Sequence, residues 1–163
     1  MSTRIAFIGG GNMATSLVGG LIAAGTEPSA IIIAEPDADK RTQLAHQYNI
    51  VTTDDNLATM QQDVVVLAVK PQLMQAVCRQ LSTAEHVSQP LFVSIAAGIR
   101  SKDIRRWLGG NVAVVRCMPN TPALIRCGAT ALYAGDTVSA AQKQVADEIL
   151  RAAGITTWVA DEE

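Results

Sequence analysis

The most specific chemical signal in the sequence is a glycine-rich turn near its start. The run Ile5-Ala-Phe-Ile is followed by Gly9-x-Gly11-x-x-Ala14 and then by apolar residues at helical spacing. In such a pattern the first glycine permits a tight turn, the second lets backbone approach a pyrophosphate, and the small third residue lets helix and strand pack together. The free N–H groups and the dipole at the start of the helix favour an anion. The spacing predicts a dinucleotide-binding turn, with a purely structural glycine turn as the alternative.

A carboxylate stands where a turn of this kind calls for one. Glu35 follows the apolar run Ile31–Ala34, about 20 residues after the turn, where an acid accepts hydrogen bonds from the adenosine ribose of NAD. A carboxylate there also repels the 2′-phosphate of NADP. Lys40 and Arg41 follow closely and could reach a phosphate, although a solvated helix face is the simpler interpretation. The sequence favours acceptance of NADH and leaves NADPH open.

Four segments in order along the chain carry a resemblance to one enzyme family. They are Phe7-Ile-Gly-Gly-Gly-Asn-Met13, Ala68-Val-Lys-Pro-Gln72, Val93-Ser-Ile-Ala-Ala-Gly-Ile99, and Val115-Arg-Cys-Met-Pro-Asn-Thr-Pro122 with Gly128-Ala-Thr130. Together they closely resemble the N-terminal, cofactor-binding domain of pyrroline-5-carboxylate reductase, over essentially the whole chain. The resemblance implies reduction of 1-pyrroline-5-carboxylate to L-proline, the last step of proline biosynthesis, by hydride transfer from NADPH or NADH.

The resemblance also implies a role for individual residues. The pyrophosphate is expected at Ile8, Gly9, Gly10, Gly11, Asn12 and Met13, and the adenosine side at Glu35, Pro36 and Asn56. The nicotinamide side is expected at Ala68, Val69, Lys70, Pro71, Ala96, Ala97 and Gly98. Asn120 and Thr121 are expected to face the cleft shared by nicotinamide and substrate, and Glu162 aligns with an acid near the substrate.

The residues alone support the same positions. Ligands of an open α/β sheet bind beyond the carboxyl ends of its strands, and residues 68–72, 96–98 and 118–122 all follow apolar runs. Small side chains there let a flat ring approach the backbone, and prolines at 71, 119 and 122 stiffen the loops. Proline and glycine also end strands in proteins without ligands, which is the structural alternative.

Three polar residues within the motifs are the candidates for catalysis. Lys70 is a charged side chain inside the motifs, and it either orients cofactor or substrate or extends into solvent from a strand end. Asn120 and Thr121 either hydrogen-bond the nicotinamide amide or the substrate, or cap their own loop. The cofactor carries the hydride chemistry, so position and electrostatics are what these residues would contribute.

Other reactive side chains are interpreted as structural. The cysteines at 78, 117 and 127 are odd in number and widely spaced, so they indicate neither a disulfide framework nor a metal site. Cys117, at the end of an apolar run, is expected to be a buried small hydrophobe. His46 and His86 are expected at the surface. Arg116 and Arg126 could draw an anionic substrate towards the cleft, although a solvated edge is the simpler interpretation for both.

Short apolar runs alternate with helical stretches along the chain. Strands are predicted at 5–8, 31–34, 64–69, 91–95, 112–117, 129–133 and 156–159, and helices from 12 or 13 to 24, then at 37–48, 73–81, 102–108 and 139–153. Ser101 and Ser139 are expected helix N-caps. The alternation predicts an α/β, Rossmann-type doubly wound, mainly parallel sheet, in one cofactor-binding domain over residues 1–163.

The composition argues against several classes of function. The 163 residues are 48% hydrophobic and 17% charged, with a net charge of −2. This charge argues against a nucleic-acid binder and offers no reason to expect a membrane-surface role. The cysteine usage and the lack of a long apolar stretch favour a cytoplasmic protein, and the resemblance implies a small-molecule substrate.

The resemblance implies a second domain and leaves other functions open. The family has an all-helical C-terminal domain that forms a homo-oligomer and most of the substrate pocket, and its Ser-Gly-Ser-Gly-Pro motif does not occur in this sequence. The chain is therefore expected to bind cofactor and to turn over little or nothing by itself. The alternatives are the cofactor domain of a β-hydroxyacid dehydrogenase and a non-catalytic NAD(P)-binding module.

Overall fold

Eight short strands form one sheet in the computed structural model, which describes residues 2–85, 89–120, 122 and 125–162. The strands are β1 (Ile5–Ile8), β2 (Ile31–Ala34), β3 (Val51–Thr53), β4 (Val64–Leu67), β5 (Leu91–Ser94), β6 (Val114–Pro119), β7 (Gly128–Ala134) and β8 (Gly154–Trp158). Their order across the sheet is β3-β2-β1-β4-β5-β6-β7-β8. Strands β1 to β6 run parallel, β7 is antiparallel to β6, and β8 is parallel to β7.

Five helices connect the strands within the described residues. They are α1 (Asn12–Ala23), α2 (Ala38–Tyr48), α3 (Pro71–Leu81), α4 (Ser101–Trp107) and α5 (Ala140–Arg151), with short 3₁₀ turns at Pro28–Ala30 and Asn56–Gln61. None of these helices is long and apolar enough to span a bilayer. The order and the crossovers confirm the predicted Rossmann-type, doubly wound and mainly parallel sheet.

Both faces of the sheet are covered, and alternate side chains of each central strand enter two separate cores. In β1, Ile5 and Phe7 join the core under α1, α2 and α5, whereas Ala6 and Ile8 join the core under α3 and α4. Burial on both faces explains why the strands read as continuous apolar runs. The fully buried Leu17 of α1 contributes about 1.5–3 kcal/mol to folding.

The chain reverses its direction of travel across the sheet at β1. From β1 it goes outward through β2 to β3, and then crosses back to β4 on the other side of β1. Ile5 consequently pairs with Ile31 on one side and with Val64 on the other. Helices α1 and α3, which follow β1 and β4, therefore lie on opposite faces of the sheet, and doubly wound folds place their ligand at the carboxyl edge between them.

Strand β3 and several element ends depart from the sequence prediction. The sequence pattern does not predict β3, because Val51 is its one apolar residue and the strand pairs with β2 alone at the edge of the sheet. Strands β4 and β5 end two and one residues earlier than predicted, and β6 begins two residues later. Helix α3 begins at Pro71 rather than at Leu73, because proline is well suited to the first turn of a helix.

The two predicted N-caps have different outcomes. Ser139 caps α5 as predicted, because its side chain accepts from the Gln142 N–H while the Gln142 side chain accepts from the Ser139 N–H. The prediction for Ser101 is wrong, since it is the first residue of α4 and Arg100 takes the N-cap position. A serine can serve either position, so sequence alone does not separate them.

Two adjacent glycines in α1 test how closely this helix packs against the end of α5 at Ala152. A Cβ on Gly20 would lie 2.3 Å from the Ala152 carbonyl oxygen, whereas a Cβ on Gly19 would make ordinary contacts with Tyr48. We expect Gly20→Ala to lower the free energy of unfolding by about 1–3 kcal/mol, since helices α1 and α5 must separate. The control, Gly19→Ala, should raise it by up to about 1 kcal/mol through helix propensity. Equal urea midpoints for the two variants would contradict this packing.

Candidate functional site

The glycine turn after β1 is locked between the ends of β2 and β4. Gly9 has a φ of +100°, and its N–H donates to the Ala34 carbonyl at 2.8 Å. A Cβ on Gly9 would lie 2.5 Å from the Ala68 carbonyl oxygen. Both the left-handed backbone and the approach to the loop after β4 therefore require glycine at this position.

Gly10 is held by a side chain from the end of β2. Its N–H donates to Oε2 of Glu35 at 2.8 Å, and the Glu35 side chain also accepts from the Asp37 N–H at 3.1 Å. A Cβ on Gly10 would lie 2.9 Å from Cδ1 of Leu44 and 3.1 Å from Oε2 of Glu35. The space where a side chain on Gly10 would lie is thus filled by protein atoms and is not open to a ligand.

Gly11 is different, because a Cβ there would have no heavy atom within 4 Å. Gly11 is the N-cap of α1 and supplies no side-chain cap to the helix. The first N–H groups of a helix have no intrahelical acceptor and carry the positive end of its dipole. A phosphate at this end would find both the space and the donors that it needs, so the turn fits a dinucleotide pyrophosphate.

A cavity of about 200 Å³ adjoins this turn and reaches α2. Its lining includes Gly10, Gly11 and Asn12 of the turn, and Lys40 and Gln43 of α2. The exposed Lys40 therefore lies beside the phosphate-sized space, where it could meet an anion.

Arg41 does not lie on a solvated helix face, and the sequence prediction is wrong for this residue. Its guanidinium donates to the carbonyl oxygen of Glu35 at 2.8 Å and to that of Pro36 at 2.9 Å, and the residue is half-buried. No local pattern indicates this contact, because it depends on how the turn from β2 into α2 folds back on the helix.

The loops after β4 and β5 lie at the same edge of the sheet. Ala68 and Val69 are half-buried, and Lys70 is exposed as the N-cap of α3. Pro71 belongs to α3 and Pro119 to β6, which corrects the prediction that these two prolines stiffen loops. The side chains that follow β4 are thus two half-buried apolar groups and one exposed cation.

The segment after β5 is built from small residues. Ala96 is buried, and its N–H donates to Oγ of the fully buried Ser94 at 3.3 Å. Ala97 and Gly98 are exposed, and Gly98 has a φ of +74°. A Cβ on Gly98 would have no heavy atom within 4 Å. A flat ring could approach this backbone closely, as the small side chains indicate.

Two of the predicted polar residues are engaged in contacts with the protein itself. Oδ1 of Asn120 accepts from the Ala129 N–H at 2.9 Å, which is the loop-capping alternative. Nδ2 of Asn56 donates to Oε1 of Gln80 at 3.0 Å. Gln80 lies in the last turn of α3, whereas the loop after β4 leads into the first turn of that helix. Thr121 lies outside the described residues, as does His86.

Glu162 makes several polar contacts near the start of α4. Its carboxylate accepts from the N–H and the hydroxyl of Ser101, and it pairs with the guanidinium of Arg116 at 3.4 Å. Arg116 is only 8% exposed, so the predicted solvated edge is wrong for this residue, whereas Arg126 is exposed. An arginine in an otherwise apolar strand is the sequence signal that a buried acidic partner exists, but it does not identify Glu162 as that partner.

Cys117 and His46 lie where the sequence predicts. Cys78 and Cys117 are buried and Cys127 is exposed, and His46 is exposed on the last turn of α2. Burial raises the pKa of the Cys78 thiol to about 12 and also raises the pKa of the Cys117 thiol well above its usual range. These two thiols are therefore protonated at neutral pH and are not nucleophiles.

The fold and the glycine turn define a domain of the Rossmann class. Comparison with known families goes one step further: the model of the NADP oxidoreductase, coenzyme F420-dependent family matches residues 4–98. The chain belongs to that family.

The curated and solved relatives are more specific. The chain is 52% identical to the pyrroline-5-carboxylate reductase of Pseudomonas aeruginosa, over 99% of its own length and 60% of that protein's. A solved pyrroline-5-carboxylate reductase from Coxiella burnetii has a TM-score of 0.95 at 42% identity, with 99% of this chain and 60% of that one covered. The Plasmodium falciparum enzyme, solved with NADP bound, shares the fold with a TM-score of 0.83 at 22% identity, over 97% of this chain and 58% of its own. The chain thus spans about 60% of the length of these relatives.

The Arg116–Glu162 pair yields a stability prediction. Because the two side chains are only 10% and 13% exposed, Arg116→Met would leave a largely buried carboxylate without its cation. We expect a loss of about 2–4 kcal/mol in the free energy of unfolding by urea denaturation. The control, Arg4→Met, breaks the pair with Asp63, whose two side chains are 56% and 48% exposed, and should cost less than about 1 kcal/mol. Equal losses in the two variants would contradict the burial of the pair.

Thiol labelling tests the burial of the cysteines. Iodoacetamide at pH 8 should modify the exposed Cys127 and leave Cys78 and Cys117 unmodified in the folded chain, because the reactive species is the thiolate. Mass spectrometry of the digested protein measures this directly. The variant Cys127→Ser should show no rapid labelling, and rapid labelling of Cys78 would show that its thiol is not buried in the folded chain.

Proposed function

We propose that this chain is the cofactor-binding part of a pyrroline-5-carboxylate reductase and holds NADPH or NADH at the carboxyl edge of its sheet. The proposed reaction reduces the C=N bond of 1-pyrroline-5-carboxylate to give L-proline. Identity of 52% over 99% of the chain to a reductase of that name supports this reaction over other oxidations and reductions of the family. A cytoplasmic location and a homo-oligomeric full-length enzyme are part of the same proposal.

One observation carries the proposal most directly: the start of α1 lies open at Gly11. The two preceding glycines are enclosed by the ends of β2 and β4, so only the third presents free space to a ligand. The uncapped helix end supplies N–H donors at that point. A structural glycine turn has no need of an uncapped helix end that faces open space.

When bound, the reduced nicotinamide would supply the hydride that adds to the imine carbon, while the imine nitrogen takes a proton. This chain's own residues would hold that cofactor and shape the surface over which the substrate lies. Ile8 to Met13 would bind the pyrophosphate, Glu35, Pro36 and Asn56 would lie toward the adenosine, and Ala68 to Pro71 with Ala96 to Gly98 would border the nicotinamide.

The proposed catalytic residues are Lys70, Asn120 and Thr121. The exposed position of Lys70 at the N-cap of α3 leaves its ammonium able to orient the cofactor or the substrate carboxylate. The Oδ1 atom of Asn120 is held by the Ala129 N–H, so its amide N–H₂ group is the part that would face a ligand. The Glu162 carboxylate is occupied by Ser101 and Arg116. Glu162 would therefore act on a substrate indirectly, by holding these two residues in place.

A non-catalytic NAD(P)-binding module is the second candidate, because the open, uncapped start of α1 would hold a dinucleotide with or without turnover. Isothermal titration of the chain with NADPH and with NADH tests both candidates for cofactor binding. Turnover of 1-pyrroline-5-carboxylate then separates them, when measured on the chain alone and with the remaining part of a relative supplied. Binding without turnover by the chain alone, restored by that part, is the expected result. Failure to bind either dinucleotide would overturn the proposal.

Gly11→Ala separates ligand binding from folding. The added methyl meets no protein atom within 4 Å, and the backbone there is not left-handed, so the free energy of unfolding should not fall. The methyl would occupy the space proposed for the pyrophosphate, so the Kd for NADPH should rise by about tenfold or more. Gly135→Ala, which also points into open space, is the control and should leave the Kd unchanged. Unchanged cofactor affinity in Gly11→Ala would contradict the proposed position.

A further inference from the structure

The carboxylate of Glu35 points into the protein and not outward to a ligand. Glu35 is only 7% exposed, although it follows a strand at the edge where a ligand is expected. Its Oε2 accepts from the Gly10 N–H at 2.8 Å and its Oε1 accepts from the Asp37 N–H at 3.1 Å. Both oxygens are therefore engaged by backbone donors, and the charge is largely screened from solvent by the turn itself.

The outer side of the same turn carries positive charge. The Arg41 guanidinium bridges the carbonyl oxygens of Glu35 and Pro36 at 2.8 and 2.9 Å, and Lys40 lines the cavity that adjoins Gly10 and Gly11. A group that approaches from the cavity meets the Lys40 side chain, with the Glu35 carboxylate enclosed behind the Gly10 peptide. This arrangement does not match a carboxylate that repels a 2′-phosphate.

The position of Gly10 gives this contact a consequence for the site. Gly10 immediately precedes Gly11, the residue that opens to the ligand space and caps α1. Because the Gly10 N–H is anchored to Glu35, the peptide that leads into Gly11 has a fixed orientation. The contact therefore determines how the first N–H groups of α1 are presented, without a direct contact between Glu35 and a ligand.

We infer that Glu35 is a positioning residue that fixes the glycine turn for the pyrophosphate, and that it does not select NADH over NADPH. This inference rests on the proposed function. It replaces the expectation that the carboxylate at this position hydrogen-bonds the ribose and excludes a 2′-phosphate. Loss of the hydrogen bond between Gly10 and Glu35 should weaken the binding of NADPH and NADH equally, because the pyrophosphate is common to both.

Two substitutions at Glu35 separate the two roles. Glu35→Gln keeps one oxygen that accepts from the Gly10 N–H, loses the acceptor for the Asp37 N–H and removes the charge, whereas Glu35→Ala removes both oxygens and the charge. We expect Glu35→Ala to raise the Kd of NADPH and of NADH by the same factor, about tenfold, as for the loss of a hydrogen bond to a charged group. Glu35→Gln should recover most of that loss, and the ratio of the two Kd values should stay within about twofold of the unaltered chain in both variants.

Asp39→Asn is the control for charge, because it removes a carboxylate from the first turn of α2 and leaves the Gly10 contact intact. It should change neither Kd by more than about twofold. Hydrogen exchange at the Gly10 amide gives an independent readout: protection should be lost in Glu35→Ala and retained in Glu35→Gln.

The outcomes distinguish this inference from the proposed function. If the unaltered chain binds both dinucleotides and Glu35→Gln improves NADPH relative to NADH by about tenfold or more, the carboxylate reads the ribose end and this inference alone is wrong. If Glu35→Ala leaves both Kd values unchanged, the Gly10 contact does not position the turn, and the inference is again wrong. If the unaltered chain binds neither dinucleotide, the proposed function fails and the inference fails with it.

Discussion

The site depends on one steric constraint, the contact between the turn after β1 and the loop after β4. The Ala68 carbonyl oxygen lies where a side chain on Gly9 would begin, so the two loops meet with no side chain between them. That contact exists because β1 is buried between β2 and β4 and the chain must leave all three strands at the same edge. The direction in which α1 starts, and hence where its free N–H groups lie, follows from it.

The centre of the sheet is more predictable from the sequence than its periphery. The runs that form β1 and β2 are predicted to the residue, because burial on both faces makes such strands uniformly apolar. Strand β3 escapes prediction, because an edge strand with a solvated side carries little apolar signal. Helix α5 is predicted together with its capping serine, since a capping box is a purely local pattern.

Within the site, positions are more predictable than partners. The loops at the carboxyl edge are identified by their place after apolar runs, and the structure brings those after β1, β4 and β5 to one edge. The contacts of Glu35 with Gly10 and of Arg116 with Glu162 join residues that are distant in sequence, and no local pattern encodes them. In each case a polar residue in or next to a buried strand has a partner that depends on the folded topology.

The proposed function requires that a dinucleotide lie at the open start of α1, near the loops after β1, β4 and β5. An NMR titration of the isotopically labelled chain with NADPH, followed residue by residue through the backbone amides, tests this position. We expect the largest shifts at Gly11, Asn12 and Met13 and at Ala96 to Gly98, with little change at Gly25 and Asp63 on the opposite edge. Shifts concentrated on that opposite edge, or no shifts at saturating NADPH, would show that the dinucleotide does not bind there.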